Sequence, residues 1–368
     1  MNNIRSFLKK NVVVGISFIA ALISVFFAPV TNYTRYIDLD MLAVLFGLMA
    51  VVAGFSHNKV FDRLAELLIR FSGNTRRLAF CLVAAVFFLS MLVTNDVALI
   101  TFVPFTVMVY EQTKKSPIYV IALETIAANM GGALTPVGNP NNLYIFTLSG
   151  MSLAEFLSIT VPIAGISLLM LILFCMFIKP VPVSINIKKN TVIQNKRFLV
   201  LYGILFVLCL LAVFDIIDTI TAFASVIVVI AICEPYLYKN IDYGLLLTFA
   251  FIFIFTGNIR NIPAVSAEIQ QIISGHELAS TVILSQFITN VPATFMLTEF
   301  TDNYRAILIG TNIASLGTLI SSLASLISLK IYAASEKADT KKYVIVFTAL
   351  NLVFLAVLYP VSSFVLLR

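Results

Sequence analysis

Apolar runs long enough to approach a bilayer's thickness alternate with short polar segments along the whole chain. A spanning helix needs about 20 mostly apolar residues, and the uninterrupted candidates are 11–29, 41–56, 153–178, 198–214, 219–238, 244–257 and 343–367. Segments 117–148 and 304–333 are apolar at both ends but interrupted in the middle by Gly, Asn and Thr, with Pro as well in the first. That pattern predicts broken helices. Segments 78–110 and 264–300 each carry a polar Thr-Asn break between two apolar arms, which predicts re-entrant hairpins that enter and leave by one face. Residues 58–72 alternate apolar and charged positions at helical spacing, as a short amphipathic helix on the membrane surface would. The chain therefore reads as an all-α polytopic membrane protein with about nine transmembrane helices, two hairpins and two broken helices.

Composition agrees. Of the 368 residues 60% are apolar and 11% charged, with mean hydropathy +1.01, against about 45–50% and about 25% in soluble domains. Secreted disulfide modules, disordered tails, nucleic-acid binders and ordinary cytosolic enzymes are disfavoured. The net charge of +6 reads as a topology signal once the basic residues are located. With the N-terminus inside and the hairpins not changing sides, 20 Lys and Arg fall on the cytoplasmic side, and Arg35, Arg260, Arg305 and Arg368 fall outside. A multi-pass protein of the cytoplasmic membrane with its C-terminus outside follows. The first run, Val12 to Val30, is long enough to span and no small-residue cleavage motif follows it, so it reads as a retained helix. Cys81, Cys175, Cys209 and Cys233 each lie inside an apolar run and read as inert buried thiols.

The polar connection 179–197, with Lys188, Lys189, Asn190, Gln194, Asn195, Lys196 and Arg197, divides the chain. Unit 1–178 lies before it, and a connecting helix at 198–214 leads to unit 215–368. Each unit has the same two features in the same order, the trace of a duplication. The first has the hairpin break Val93-Thr94-Asn95-Asp96-Val97-Ala98, then the helix break from Asn129 through Gly131, Thr135, Pro136, Gly138, Asn139 and Pro140 to Asn142. The second has Ile288-Thr289-Asn290-Val291-Pro292-Ala293-Thr294, then Ile309-Gly310-Thr311-Asn312 through Ser315, Gly317 and Thr318 to Ser322. On the topology above the two hairpins open on opposite faces, so the repeats are inverted.

Backbone groups released from a helix at membrane depth cost several kcal/mol each unless protein, water or a ligand replaces the lost bonds. Gly lets the backbone bend and approach a ligand. Asn and Thr supply oxygens for a small cation, while half-helix N-termini aim partial positive charge at an anion. One such kink is ordinary packing; four in duplicate order describe a small-ion site.

These motifs, two Thr-Asn hairpin tips, a Thr-Pro-x-Gly-Asn-Pro-Asn break and a later Gly-x-Asn break, resemble the citrate-transporter-like branch of the ion transporter superfamily. That branch includes divalent anion/sodium symporters, arsenite efflux permeases and one class of sodium/proton antiporters, and the chain looks closest to the YbiR-like permeases. The resemblance covers essentially the whole chain. It implies an elevator-type secondary transporter, usually a homodimer, with no cofactor and with Na+ or H+ as coupling ion. By analogy, Thr94, Asn95 and Asp96 with Gly131, Thr135, Gly138, Asn139 and Asn141 form one half-site for ion and substrate. Thr289, Asn290 and Thr294 with Gly310, Thr311, Asn312, Ser315, Gly317 and Thr318 form its inverted partner. Na+ is expected at Thr94, Asn95, Gly138, Asn139, Thr289, Asn290 and Gly317. The symporters carry Ser-Asn-Thr at both tips, whereas this chain has Thr-Asn-Asp and Thr-Asn-Val-Pro, so dicarboxylate binding does not carry over with the motif.

A carboxylate at the centre of a membrane helix costs about 2.5–3.5 kcal/mol on insertion scales. Asp96 must therefore be protonated, cation-bound or paired, as a coupling residue would be. Its rival role is to cap the second hairpin arm. Glu124, in an apolar helix seven residues before Gly131, either bonds the scaffold or relays protons. Arg260 reads as a helix-end anchor, and Asp215 and Asp218 as solvated turn residues. An intramembrane enzyme fails on inventory, because His57 and His276 are the only histidines and no HExxH or Cys/His cluster exists. An ion channel is the other class, against which the paired broken helices point to alternating access. Uptake of a small anion such as a di- or tricarboxylate or an oxyanion is the preferred function; arsenite or antimonite efflux and sodium/proton exchange stay open. No GxxxxGK[ST] motif is present, which favours an ion gradient over nucleotide hydrolysis.

Overall fold

The computed structural model describes residues 12–27, 33–70, 72–113, 115–182, 192–193 and 195–366. The basic residues before position 11, linker residues Lys188, Lys189, Asn190 and Gln194, and Arg368 lie outside the described residues. Among the described residues there is no β-strand, only an isolated bridge between Asn74 and Pro182.

Seventeen α-helices follow one another among the described residues. The first eight are α1 (Val12–Phe27), α2 (Leu39–His57), α3 (Val60–Arg70), α4 (Thr75–Leu89), α5 (Asn95–Gln112), α6 (Ile118–Gly132), α7 (Pro140–Ser149) and α8 (Leu153–Met176). After the linker come α9 (Lys196–Val213), α10 (Thr219–Cys233), α11 (Tyr243–Arg260), α12 (Pro263–Ile273), α13 (Glu277–Ile288), α14 (Asn290–Leu297), α15 (Tyr304–Ala314), α16 (Leu323–Ala333) and α17 (Thr340–Val361). Polar residues between the apolar runs set many of the starts. Asp38, Asn74, Ser152, Asp218, Asp242, Asn303 and Asp339 each accept a backbone N–H from the first turn of the helix they precede, which satisfies one donor left over at every helix N-terminus.

Five helices, α2, α8, α9, α11 and α17, are long and apolar enough to cross a membrane. Together with the all-helical architecture they make this a multi-pass membrane protein. The nine crossings read from the sequence are not all single helices of that length. At about 1.5 Å per residue, α10, with 15 residues, falls short of the roughly 30 Å hydrocarbon core, while the ends of the run read over 11–29 lie outside the described residues of α1. The run expected to continue to 238 ends at Cys233, because Pro235 forces Glu234 out of helical geometry (φ −146°, ψ 65°). The second hairpin, expected from 264, begins at Glu277. Residues before it form the separate, mostly exposed helix α12, which starts on Pro263 and is followed by Gly275 at φ +76°. The amphipathic helix expected at 58–72 is α3, which buries Phe61, Ala65 and Ile69 and pairs buried Glu66 with Arg63 (3.4 Å) and Arg70 (2.6 Å).

The order long helix, short surface helix, helical pair, broken helix, long helix occurs twice, in α2–α8 and in α11–α17. Contacts between the two sets are reciprocal: α1 packs on α11 as α10 packs on α2, α5 on α16 as α14 on α7, and α6 on α17 as α15 on α8. Every residue of α6 except Tyr119 is buried, and so are Ala306 to Ala314 in α15. The outer helices show their apolar side chains instead, for example Ile16 and Phe26 on α1, Val200 and Ile204 on α9, and Ile220 and Ile232 on α10. This is the inside-out distribution that a lipid surround permits. All four cysteines are free, with Cys175 and Cys209 buried. Arg260 does more than anchor its helix end: it forms an exposed pair with Glu299 (2.9 Å), joining α11 to the end of the second hairpin. Asp218 is not merely solvated, since it caps α10.

Candidate functional site

The first break, between α6 and α7, is closed by one side chain. Asn142 Nδ2 donates to the carbonyls of Gly132 (3.2 Å), Ala133 (3.1 Å) and Thr135 (3.2 Å) at the interruption of the helix. Thr135 ties the loop to the first hairpin by donating to the Met91 carbonyl (2.6 Å), and its hydroxyl accepts from Gly138 N (3.1 Å). Two glycines are required by close approach. A Cβ on Gly131 would lie 2.9 Å from Phe87 Cα, and one on Gly138 2.7 Å from the Ser90 carbonyl oxygen, so the break rests directly on the backbone of the hairpin.

The second break is held in the same way by Gln286. Its Nε2 donates to the carbonyls of Ala314 and Leu316 (both 3.2 Å), and its Oε1 accepts from Thr318 N (2.9 Å). Gly317 takes φ +110° there, and a side chain on it would strike Gln286. Ser315 donates back to the Asn312 carbonyl (2.6 Å), Gly310 packs on Thr281, and Thr318 is exposed. The second hairpin turns at Thr289, a buried non-glycine residue at φ 71°. That conformation costs about 1–3 kcal/mol and persists only where the surroundings enforce it.

Both hairpin tips and both breaks end at one place. Asn95 and Asp96, Asn139 and Asn141, Asn290, and Ser322 line a cavity of about 20 Å³, enough for a single water-sized occupant. The N-termini of α5, α7, α14 and α16 all reach it. Asn129 is the junction: its Oδ1 accepts from Asn95 Nδ2 (3.1 Å) and from Ser322 Oγ (3.0 Å), joining a residue of each half through a third helix. On the opposite side, Asn141 Nδ2 donates to Thr311 Oγ1 (3.1 Å), Asn290 Nδ2 to the Thr311 carbonyl (3.4 Å) and Thr294 Oγ1 to Thr311 Oγ1 (2.5 Å). Asp96 Oδ1, Asn139 Oδ1, Asn141 Oδ1, Asn312 Oδ1 and Thr289 Oγ1 are buried with no hydrogen-bond partner. Oxygens of this kind suit a hard cation or a hydrogen-bond donor. No cluster of three or more His, Cys, Asp or Glu exists among the described residues.

Asp96 also opens onto a larger vestibule of about 330 Å³, which shares Pro140 and Leu245 with the small cavity and extends past Thr94 to His57, Asn240 and Asp242. Among the described residues no Lys or Arg lines either space. Thr94 starts α5 but makes no side-chain capping bond.

The structure thus brings Asn95, Asp96, Asn139, Asn141 and Asn290 together around the cavity, with Thr94 in the vestibule. Thr294 and Thr311 stand behind, in the hydrogen-bonded layer, with buried Thr289 and Asn312 carrying unpartnered oxygens. Gly131, Thr135, Gly138, Gly310, Ser315, Gly317 and Thr318 shape the breaks and do not line the cavity. Glu124 is elsewhere, fully buried and accepting from Thr106 of α5 (2.5 Å). Sequence reasoning left out Asn129, Ser322, Asn142, Gln286 and Asp242. Asn129 and Ser322 bound the quoted breaks, and Gln286 is a lone amide in an apolar hairpin arm, so each carried a faint signal. Asp242 carried none, because it reads as an ordinary loop residue.

A family model described as citrate transporter matches residues 7–304. The chain belongs to the citrate transporter family. It is 31% identical over 323 residues to the inner membrane protein YbiR of Escherichia coli, covering 86% of this chain and 84% of the relative. An uncharacterized transporter of Methanocaldococcus jannaschii is 31% identical over 294 residues, 78% of this chain and 79% of its own. A silicon efflux transporter of rice is 37% identical over 149 residues, 39% of this chain and 30% of the relative.

Proposed function

We propose that the protein is a secondary active transporter that carries a small anionic solute through the membrane together with H+ or Na+. The observation that carries this reading is the meeting of four helix N-termini, two from each half, at one amide-lined cavity. Each terminus contributes roughly half a positive charge, a field that recruits an anion without any basic side chain, as in other transporters with broken helices. The small cavity takes the coupling cation against the unpartnered oxygens, and the vestibule is of the size that small-molecule sites use, about 300–1,000 Å³. With Asp96 and Asp242 both lining the vestibule, an anion entering alone would meet like charge. A proton or cation at Asp96 lowers that repulsion, so solute and cation move together.

The two units are inverted repeats, with the N-terminus cytoplasmic, the C-terminus outside and the vestibule open to the cytoplasm in this conformation. Support comes from the reciprocal helix contacts and from the distribution of basic residues. The hairpins and broken helices move as one body against a scaffold that includes α1, α2, α10 and α11, in an elevator, and the scaffold pairs two copies into a homodimer. A second reading, cation exchange without an organic solute, is favoured by one observation: among the described residues no basic side chain lines either space.

Proteoliposome flux with imposed sodium or proton gradients separates these readings when run over citrate, succinate, sulfate, phosphate, arsenite and silicic acid. Gradient-driven accumulation of a member of the anionic set is the expected result. Ion exchange with no solute accumulated would replace the proposal by the second reading, and gradient-independent flux at channel rates would remove both.

A further inference from the structure

Away from the cavity, a line of hydroxyl groups runs down the seam between α6 and α16. It begins at the cavity with Asn129 of α6 and Ser322, where the Ser322 hydroxyl donates to Asn129 (3.0 Å). Four residues from Asn129 along α6 and six from Ser322 along α16, Thr125 donates to Ser328 (2.8 Å). Ser325 lies between Ser322 and Ser328 at the three-residue spacing that keeps all three on one helix face, fully buried and without a partner. The Tyr343 hydroxyl of α17 lies against Thr125 and Ser328, is buried, and has no partner in hydrogen-bond geometry. Next to it stands Glu124, whose Oε1 accepts from Thr106 and whose Oε2 has no partner. The titratable groups facing Glu124 are Tyr110 of α5, Cys175 of α8 and Tyr343 of α17, and no basic group pairs with it among the described residues. On the far side, the Tyr343 ring stacks on Tyr332 (5.2 Å). Tyr332 lines a surface basin of about 430 Å³ that also holds Lys115, Lys337 and Lys342.

Buried hydroxyls paired into a closed network rigidify a core. Here Glu124 Oε2, Tyr343 Oη and Ser325 Oγ are buried without a hydrogen-bond partner on the protein, which makes the arrangement costly as pure architecture. We propose that this seam is a proton pathway joining the substrate cavity to the basin at Tyr332, with Glu124 as its internal acid. In one direction, the Glu124 acid releases its proton to the Tyr343 oxygen. Tyr343 passes its own to Ser328 and Thr125, and Ser325 and Ser322 carry the transfer to the cavity. Each hydroxyl accepts one proton and gives up one, and the last passes to the Asp96 carboxylate, which lines the cavity with Ser322; a single proton has moved, Asp96 is neutral and Glu124 is left ionised, to be recharged from the basin. The pathway rests on the transporter reading for its purpose. It supplies the cavity with protons by a route separate from the vestibule, so proton entry and solute entry need not share one opening.

The test does not need the substrate. In D2O, the carboxylic-acid C=O stretch of Glu124, assigned by its loss in Glu124→Gln, shifts as COOH becomes COOD. The pathway predicts prompt exchange in the wild type and exchange slowed by roughly tenfold or more in Tyr343→Phe and in Ser328→Ala, by analogy with the loss of a proton-transfer group. Tyr343→Phe keeps the ring stack, so a well-folded variant is expected, and Ser328→Ala repeats the test with a smaller change. Exchange unaffected in both variants, a Glu124 band that never exchanges, or no such band at all would each overturn the proposal. A second arm, citrate-driven proton flux in proteoliposomes read with a pH dye, falls in both variants while citrate counterflow is kept. Absence of flux for every member of the anionic set in the wild type beside a positive infrared result would refute the anion reading and leave the pathway standing.

Discussion

Asn129→Ala removes the junction between the two halves, and its cost can be worked from the contacts. The substitution strips the acceptor from Asn95 Nδ2 (3.1 Å) and from Ser322 Oγ (3.0 Å). A buried donor left unpaired costs about 1–3 kcal/mol. Asn95 and Ser322 both border the cavity and can turn toward it, which keeps each share in the lower half of that range. The expected loss is about 2–4 kcal/mol. Purified protein in mild detergent, unfolded by stepwise addition of a denaturing detergent and followed by circular dichroism, reads it directly. A cycle with Ser322→Ala sharpens the result, because removing the orphaned hydroxyl recovers part of the loss: the double variant should be more stable than the two single losses predict by about 1–2 kcal/mol. Strict additivity, or an Asn129→Ala protein as stable as the wild type, would refute the claim that this amide joins the halves.

Other outcomes follow from the same contacts. Gly131→Ala drives a methyl group into the backbone of Phe87 and should cost about 1–3 kcal/mol, seen as an earlier loss of the monodisperse peak on heating; an unchanged profile would mean the break does not press on the hairpin. Tyr202→Phe deletes a hydroxyl that donates to buried Glu234, which keeps its bond from Tyr236 (2.5 Å). Stability should fall by about 1–3 kcal/mol with transport intact, whereas lost transport would move Glu234 into the working part. Burial lifts the Asp38 carboxyl, which caps α2, above its ordinary 3.8, the Met41 N–H opposing it. The folded state then holds its proton to higher pH than the unfolded one, so stability falls as pH rises from about 4 through the raised value. Asn caps as well as Asp, so Asp38→Asn should flatten that slope, and a slope unchanged in the variant would assign it to other groups.

The architecture was legible because membrane burial leaves few ways to write a helix. Apolar runs gave α2, α8, α9, α11 and α17, and the Thr-Asn and Gly-Asn interruptions marked the tips and breaks that meet at the cavity. Element ends were less readable where one residue sets the outcome, as when Pro235 stops α10 or Gly275 separates α12 from the hairpin. Within the site, residues that face the cavity and residues that hold the loops look alike in sequence. Asn141 and Asn142 are adjacent amides, yet one lines the cavity and the other spends its amide group on three carbonyls. Only the direction of each side chain tells them apart, and that depends on packing between segments far apart in the chain. The Glu124 seam was invisible for the same reason, because Thr125 and Ser328 are 203 residues apart.

The central claim is that two oppositely oriented units enclose one site, and side-specific thiol labelling tests it most directly. In a variant freed of Cys81, Cys175, Cys209 and Cys233, single cysteines replace Arg77 at the base of the first hairpin and Ser274 before the second, and intact cells are exposed to a membrane-impermeant maleimide. Inverted units predict labelling of Ser274→Cys in intact cells and of Arg77→Cys only after the membrane is opened; equal labelling of both from one side would contradict the account.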